Sequence, residues 1–152
     1  MTESALALNP AAHLALLASG LFLLVGMLTG TWKYSHMARS ADATAPVYVD
    51  ICHRTALMYA FACLVLQQLA THSGWSDTVN VWAVLVPVVF FALAVGSYAL
   101  HGMLQDTDNQ LRSPHKLGNR TLPGFLLHGF MGLLIVGEIG GTAVLVAGIF
   151  MR

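Results

Sequence analysis

Four side chains that can hold or polarise a ligand stand near the ends of apolar segments: His53, Tyr98, His101 and His128. Neutral imidazole is the commonest nitrogen ligand for transition metals and haem iron, and it transfers protons near neutral pH. Tyr98 and His101 are three residues apart, which places them on one face of a helix, where a phenol and an imidazole can share a cavity. The spacing therefore predicts a catalytic and cofactor-binding site, with an aromatic belt and interfacial histidines as the alternative.

The elements that position these residues are membrane helices. Of the 152 residues 57% are hydrophobic and only 9% are charged, whereas a soluble domain has about 25% charged residues. The formal net charge is zero, which predicts no nucleic-acid partner. Four long apolar runs predict an all-α, four-transmembrane-helix bundle in a single domain, residues 1–152, surrounded by membrane lipid. The predicted helices span about 14–32, 52–71, 79–101 and 122–151.

The positive charges predict how the bundle is oriented. Six of the seven Lys and Arg residues lie in the first and third loops or flank them: Lys33, Arg39, Arg54, Arg112, Lys116 and Arg120. Because cytoplasmic segments collect Lys and Arg, these loops are expected to be cytoplasmic and both termini outward, in a bacterial inner membrane. The N-terminus has no Lys or Arg before the first apolar run, so the first helix is expected to be retained.

Glu138 lies near the middle of the fourth helix and is the one ionisable residue at that depth. An ionised carboxylate within the bilayer is costly enough to need a partner, a wet cavity or a raised pKa. By default such a residue is a functional hypothesis, although its role is open. The alternative is a protonated carboxyl group that bonds a neighbouring helix.

Two glycine motifs and two cysteines predict packing rather than chemistry. Membrane helices approach closely through small residues, and the first and fourth helices carry Gly26-x-x-x-Gly30 and Gly137-x-x-x-Gly141. Whether these faces pack within a subunit or between subunits is open. Cys52 and Cys63 are interpreted as buried packing residues. No Cys-x-x-Cys-His motif is present, so any haem would be bound without covalent attachment.

Two sequence motifs carry a family resemblance: HRTALMYAFA, which begins at His53, and ALAVGSYALHG, which begins at Ala92. With these motifs the chain resembles styrene oxide isomerase, a small four-helix membrane enzyme, over roughly residues 21–148. The resemblance implies that His53 ligates haem b, that Tyr98 faces the distal pocket, and that a homotrimer holds haem between neighbouring subunits. It also implies a reaction in which ferric iron acts as a Lewis acid on an epoxide oxygen, the ring opens, and a hydride shift yields the aldehyde.

The chain departs from that family at two pocket positions. Tyr59 stands where the family has an asparagine, and Phe90 stands where it has an aspartate. Tyr59 is accordingly a candidate catalytic position beside Tyr98 and His101, for an unidentified small hydrophobic substrate. A related reaction on the same scaffold remains open.

Two further functions are open at this point. In a b-type cytochrome, His53 would share the iron with His101 or His128, because electron transfer favours six-coordinate iron, and a quinone would be a suitable partner. In a non-catalytic membrane subunit, the glycine faces would dock other helices and the histidines would be interfacial.

Overall fold

The computed structural model describes residues 9–151, which form four long helices and one short hairpin. The helices are α1 (Pro10–Met37), α2 (Val47–His72), α3 (Asp77–Leu104) and α4 (Gly124–Ile149). Strands β1 (Lys116–Leu117) and β2 (Arg120–Thr121) pair antiparallel in the connection between α3 and α4. The predicted all-α four-helix bundle is confirmed, whereas the hairpin was not predicted because its strands have two residues each.

All four helices are long and apolar enough to cross a membrane. The shortest have 26 residues, or about 39 Å at 1.5 Å per residue, against about 30 Å of hydrocarbon. The chain is therefore an integral membrane protein. Both α1 and α2 extend beyond their apolar runs into polar residues. The first connection is therefore only residues 38–46, whereas the predicted helix bounds left about twenty residues between the two helices.

Small residues bring α1 and α2 together. Ala15 and Ala56 are fully buried, and the Ser19 hydroxyl donates a hydrogen bond to the carbonyl of Ala60 at 2.8 Å. Cys52 and Cys63 are buried and free, as predicted. With so little side-chain volume between them, the two helices pack along much of their length, and α2 presents a second face to α3 and α4.

Both glycine motifs pack within the chain, which answers the question that the sequence left open. A Cβ at Gly26 would meet Leu57 of α2, and a Cβ at Gly137 would meet the ring of Phe90 in α3. Gly141 lies against Pro87 and the carbonyl of Ala83, a carbonyl that Pro87 leaves without a helical hydrogen bond because proline has no N–H. The glycines of α4 thus let it approach α3 where proline interrupts the hydrogen-bonding ladder.

The rest of α4 is largely uncovered. Only 6% of its most apolar window is buried in the bundle. A Cβ placed at Gly129, Gly132 or Gly140 would have no atom within 4 Å, and at 3.6 residues per turn these three glycines lie on one side of the helix. We call this side the open α4 face.

Candidate functional site

His53 lies on the side of α2 that packs against α1, six residues or about 1.7 turns after the helix begins at Val47. Its Nδ1 is 2.8 Å from the carbonyl oxygen of Gly26. A carbonyl only accepts, so Nδ1 carries the proton and the neutral ring keeps its lone pair on Nε2. Metal-ligating histidines are usually held in this way, with the second ring nitrogen donating to a backbone carbonyl.

Gly30 provides the space for this imidazole. A Cβ at Gly30 would stand 2.8 Å from Cε1 and 3.0 Å from Nδ1 of His53, closer than side-chain carbons approach in folded proteins. Gly26 and Gly30 thus have different roles: the carbonyl of Gly26 accepts a hydrogen bond from the ring N–H, and the missing side chain of Gly30 leaves room for the ring. The pair explains why the His53 ring can pack closely against the backbone of α1.

Three charged residues surround the start of α2 beside His53. Asp50 is 2.5 Å from Nζ of Lys33 and 2.8 Å from Nη2 of Arg54. One carboxylate between two cations leaves a local excess of one positive charge. The Arg54 side chain is 63% exposed, so its guanidinium group can still bind an acidic group next to His53.

Tyr98 and His101 meet a third ring that the sequence interpretation had not included. Tyr48 is buried, its ring stacks on Tyr98 at 5.9 Å between centroids, and it lies 5.1 Å from the ring of His101. Tyr48 stands five residues before His53, or about 7.5 Å along α2. The end of α3 and the start of α2 therefore lie at similar depths.

The structure does not place His53 and Tyr98 around a common cavity within one subunit. At about 100° per residue, Tyr48 and His53 point about 140° apart around α2. Tyr48 faces Tyr98 and His101 in α3, whereas His53 faces Gly26 and Gly30 in α1. Within this chain, His53 and Tyr98 therefore lie on different sides of α2.

Asp106, just beyond α3, orients His101. Its Oδ1 lies 2.8 Å from Nδ1 of His101, its Oδ2 accepts the backbone N–H of Gly118 at 2.5 Å, and both side chains are almost completely buried. Burial raises the pKa of Asp106, but hydrogen bonds from His101 and Gly118 lower it by more, so the net shift is downward. The sequence signal that could have revealed this pair is an aspartate five residues after a histidine at a helix end.

Replacing Asp106 with asparagine is expected to loosen the hairpin, because the charged acceptor of two hydrogen bonds becomes neutral. The loss is about 1–3 kcal/mol for a hydrogen-bonded charge, so exchange of the Gly118 amide hydrogen should accelerate about tenfold or more. In the unchanged protein the protection of this amide, relative to its intrinsic exchange rate at each pH, should begin to fall below pH 3.8, the ordinary pKa of Asp, and should fall further until the lowered pKa is passed. The control is Asp108→Asn, because Asp108 is exposed. Equal exchange of the Gly118 amide in both variants would contradict the role of Asp106 in holding the hairpin.

Tyr59 and Glu138 form a second polar group deeper in the bundle. The Tyr59 ring stacks on Phe91 with 4.0 Å between centroids and meets the edge of Phe22. The Glu138 carboxyl group interacts electrostatically with the hydroxyls of Tyr59 and Tyr98. Its Oε1 is buried and has no hydrogen-bond partner among the described residues, so this carboxyl group retains a free hydrogen-bonding position.

Among the described residues, His128 makes no ring contact with Tyr59, Tyr98 or His101. It is exposed at the start of α4 and meets His115 edge to face at 5.6 Å. Residues 9–151 contain no cluster of three His, Cys, Asp or Glu side chains able to hold a bare metal ion. A single oriented imidazole, such as His53, is instead suited to a cofactor that brings its own equatorial ligands.

Comparisons of the chain with protein-family models, with curated proteins and with solved structures found no match.

Proposed function

We propose that this membrane protein binds haem b through His53 and isomerises a small hydrophobic epoxide to a carbonyl compound without net oxidation or reduction. The observation that carries the proposal is the hydrogen bond from Nδ1 of His53 to the Gly26 carbonyl. It selects the tautomer that a metal needs and holds the ring in one orientation.

The surroundings of His53 fit a haem group. The ring is only partly buried, so with Nδ1 bonded to Gly26 the lone pair on Nε2 is the position at which it could bind the iron. Arg54 lies beside it with a largely exposed guanidinium group, a partner for the propionate of a haem. When bound, ferric haem would supply a Lewis acid for the epoxide oxygen.

The chain's own groups would stabilise the charge that develops on the epoxide oxygen. Tyr98 carries a phenol that can donate a hydrogen bond to that oxygen. Stacking on Tyr48 holds its ring in place. The carboxyl group of Glu138 in α4 interacts electrostatically with the hydroxyls of Tyr98 and Tyr59. These contacts support catalytic roles for Tyr98 and Tyr59.

The separation of His53 and Tyr98 supports the homotrimer that the resemblance implies. Because they face different sides of one subunit, His53 would hold the cofactor from one subunit and Tyr98 of the partner subunit would cover its other side. The open α4 face, with Gly129, Gly132 and Gly140, offers the close backbone approach that membrane helices use to associate. We further propose that the basic loops are cytoplasmic and the termini outward, in a bacterial inner membrane.

Within one chain, the geometry separates the two histidines that a bis-histidine cytochrome would need, so they could share an iron only between subunits. His101 packs on Tyr48 and bonds Asp106, on the side of α2 that His53 does not face. A low-spin spectrum that is unchanged by azide and lost in His101→Ala would nevertheless favour the cytochrome over the isomerase.

The Tyr98 hydroxyl tests the catalytic part of the proposal. With styrene oxide as the probe, Tyr98→Phe is expected to lower kcat for aldehyde formation about 100-fold, the usual cost of removing one donor to a developing oxyanion. Haem content should not change, because Tyr98 does not ligate the iron. The matched control is Tyr34→Phe, since Tyr34 is 70% exposed. Unchanged kcat in Tyr98→Phe, or no aldehyde from the unchanged protein, would overturn the assignment.

A further inference from the structure

A cavity of about 440 Å³ lies between α3, α4 and the connection that carries the hairpin. We call it the loop pocket. Its walls are mostly apolar and include Leu93, Leu100, Leu126 and Phe130. Leu93 and Leu126 are about half exposed, at 50% and 51%, so the pocket opens sideways between two membrane helices. Its size is in the range of small-molecule sites, about 300–1,000 Å³, and a ligand would enter it from the bilayer.

Three polar residues line this otherwise apolar pocket: Ser97, His101 and Gln110. The Ser97 hydroxyl donates to Oε1 of Gln110 at 3.2 Å, which turns the carbonyl end of that amide toward Ser97 and leaves its NH₂ group to act as a donor. Asp106 occupies Nδ1 of His101, which leaves Nε2 as an acceptor in the neutral ring. The pocket therefore combines one donor and one acceptor.

The pocket wall formed by the connection is anchored rather than loose. The backbone N–H of Gln110 donates to the hydroxyl of buried Tyr48 at 2.6 Å, and Asp106 binds both His101 and Gly118. Leu117 from the hairpin completes the apolar lining. A site held at several points in this way is formed before its ligand arrives, which lowers the entropic cost of binding.

We propose that the loop pocket binds a small lipophilic alcohol or phenol. A hydroxyl is the group that can donate to Nε2 of His101 and accept from the Gln110 amide at once, whereas a hydrocarbon would leave both unpaired. His53, the proposed haem ligand, packs against α1 and does not line this pocket, which lies between α3 and α4. The carbonyl product of an epoxide has no hydroxyl, so the ligand is not the product of the proposed reaction.

Photo-crosslinking tests the site with the detergent-purified full chain. The probe is a benzyl alcohol that carries a trifluoromethyl-diazirine group, and the comparison probe is the corresponding toluene without the hydroxyl. Peptide mass spectrometry is expected to place the alcohol on residues of the pocket walls, with about tenfold more labelling than by the toluene, the effect of one satisfied buried polar group. Equal labelling by both probes, or labelling spread over all helices, would overturn the proposal.

Matched variants locate the effect. Gly96 lines the pocket and a Cβ there meets nothing within 4 Å, so Gly96→Leu should fill the cavity and remove the labelling. A Cβ at Gly20 also meets nothing within 4 Å, but Gly20 lies on α1. The Gly20→Leu variant should therefore be labelled as strongly as the unchanged protein. Gln110→Leu should bring alcohol and toluene labelling to similar levels, and it provides a second test if Gly96→Leu does not fold.

The His53→Ala variant separates this inference from the proposed function. Labelling that persists in it while haem is lost would support an independent site. Labelling in the unchanged protein that disappears with His53 would contradict the proposal, because the probe would then depend on the haem site.

Discussion

Replacing His53 with glycine is expected to abolish the Soret absorption of the protein purified in detergent, and added imidazole is expected to restore it. The glycine removes the nitrogen ligand but leaves a space of the shape of the lost ring between α1 and α2. Free imidazole can occupy that space and donate to the Gly26 carbonyl as Nδ1 of His53 does at 2.8 Å. Recovery would show that the imidazole is a ligand and not merely a packing group.

The matched control is His36→Gly. His36 lies near the same end of the bundle, and its ring is tilted against Trp32 at 6.0 Å, on α1 rather than in the groove between α1 and α2. Its replacement should leave the absorption band unchanged. A Soret band of equal intensity in His53→Gly without imidazole would contradict the ligand assignment, and so would a band that only His36→Gly removes.

Replacing Gly30 with valine is expected to reduce haem content about tenfold or more, although Gly30 has no side chain to offer a ligand. Its Cβ would come within 2.8 Å of Cε1 in His53, so the ring would have to rotate away from the backbone of α1. The bond from Nδ1 to Gly26 would then be lost. A shift of about 1.4 kcal/mol is enough for a tenfold change in binding, and one lost hydrogen bond to a buried group has that size.

Gly20→Val is the control for this effect, because it introduces the same residue into the same helix. A Cβ at Gly20 has no atom within 4 Å, so haem content should match that of the unchanged protein. The ratio of Soret absorbance to protein absorbance measures both variants. Equal loss in both would mean that the effect comes from valine in α1 and not from the His53 ring.

Several features could be predicted from the residues alone because they depend on local chemistry. Long apolar runs must form helices in a bilayer, where each backbone polar group needs an internal partner. The glycine motifs predicted close packing, and Gly26 and Gly137 do meet neighbouring helices. The buried, free cysteines also follow from residue type and placement. None of these needed knowledge of which helix lies beside which.

The candidate site depended on the tertiary structure for a physical reason. A helix that is apolar on all sides has no periodicity to show which face is inward, so the sequence could not reveal that His53 and Tyr48 point to different neighbours. Nor could it show that Asp106 accepts hydrogen bonds from both His101 and Gly118, because those bonds form only when the connection after α3 folds back. The residues by themselves determined four membrane spans and which side chains could act; packing alone decided that His53 faces α1 while Tyr98 and His101 face α2.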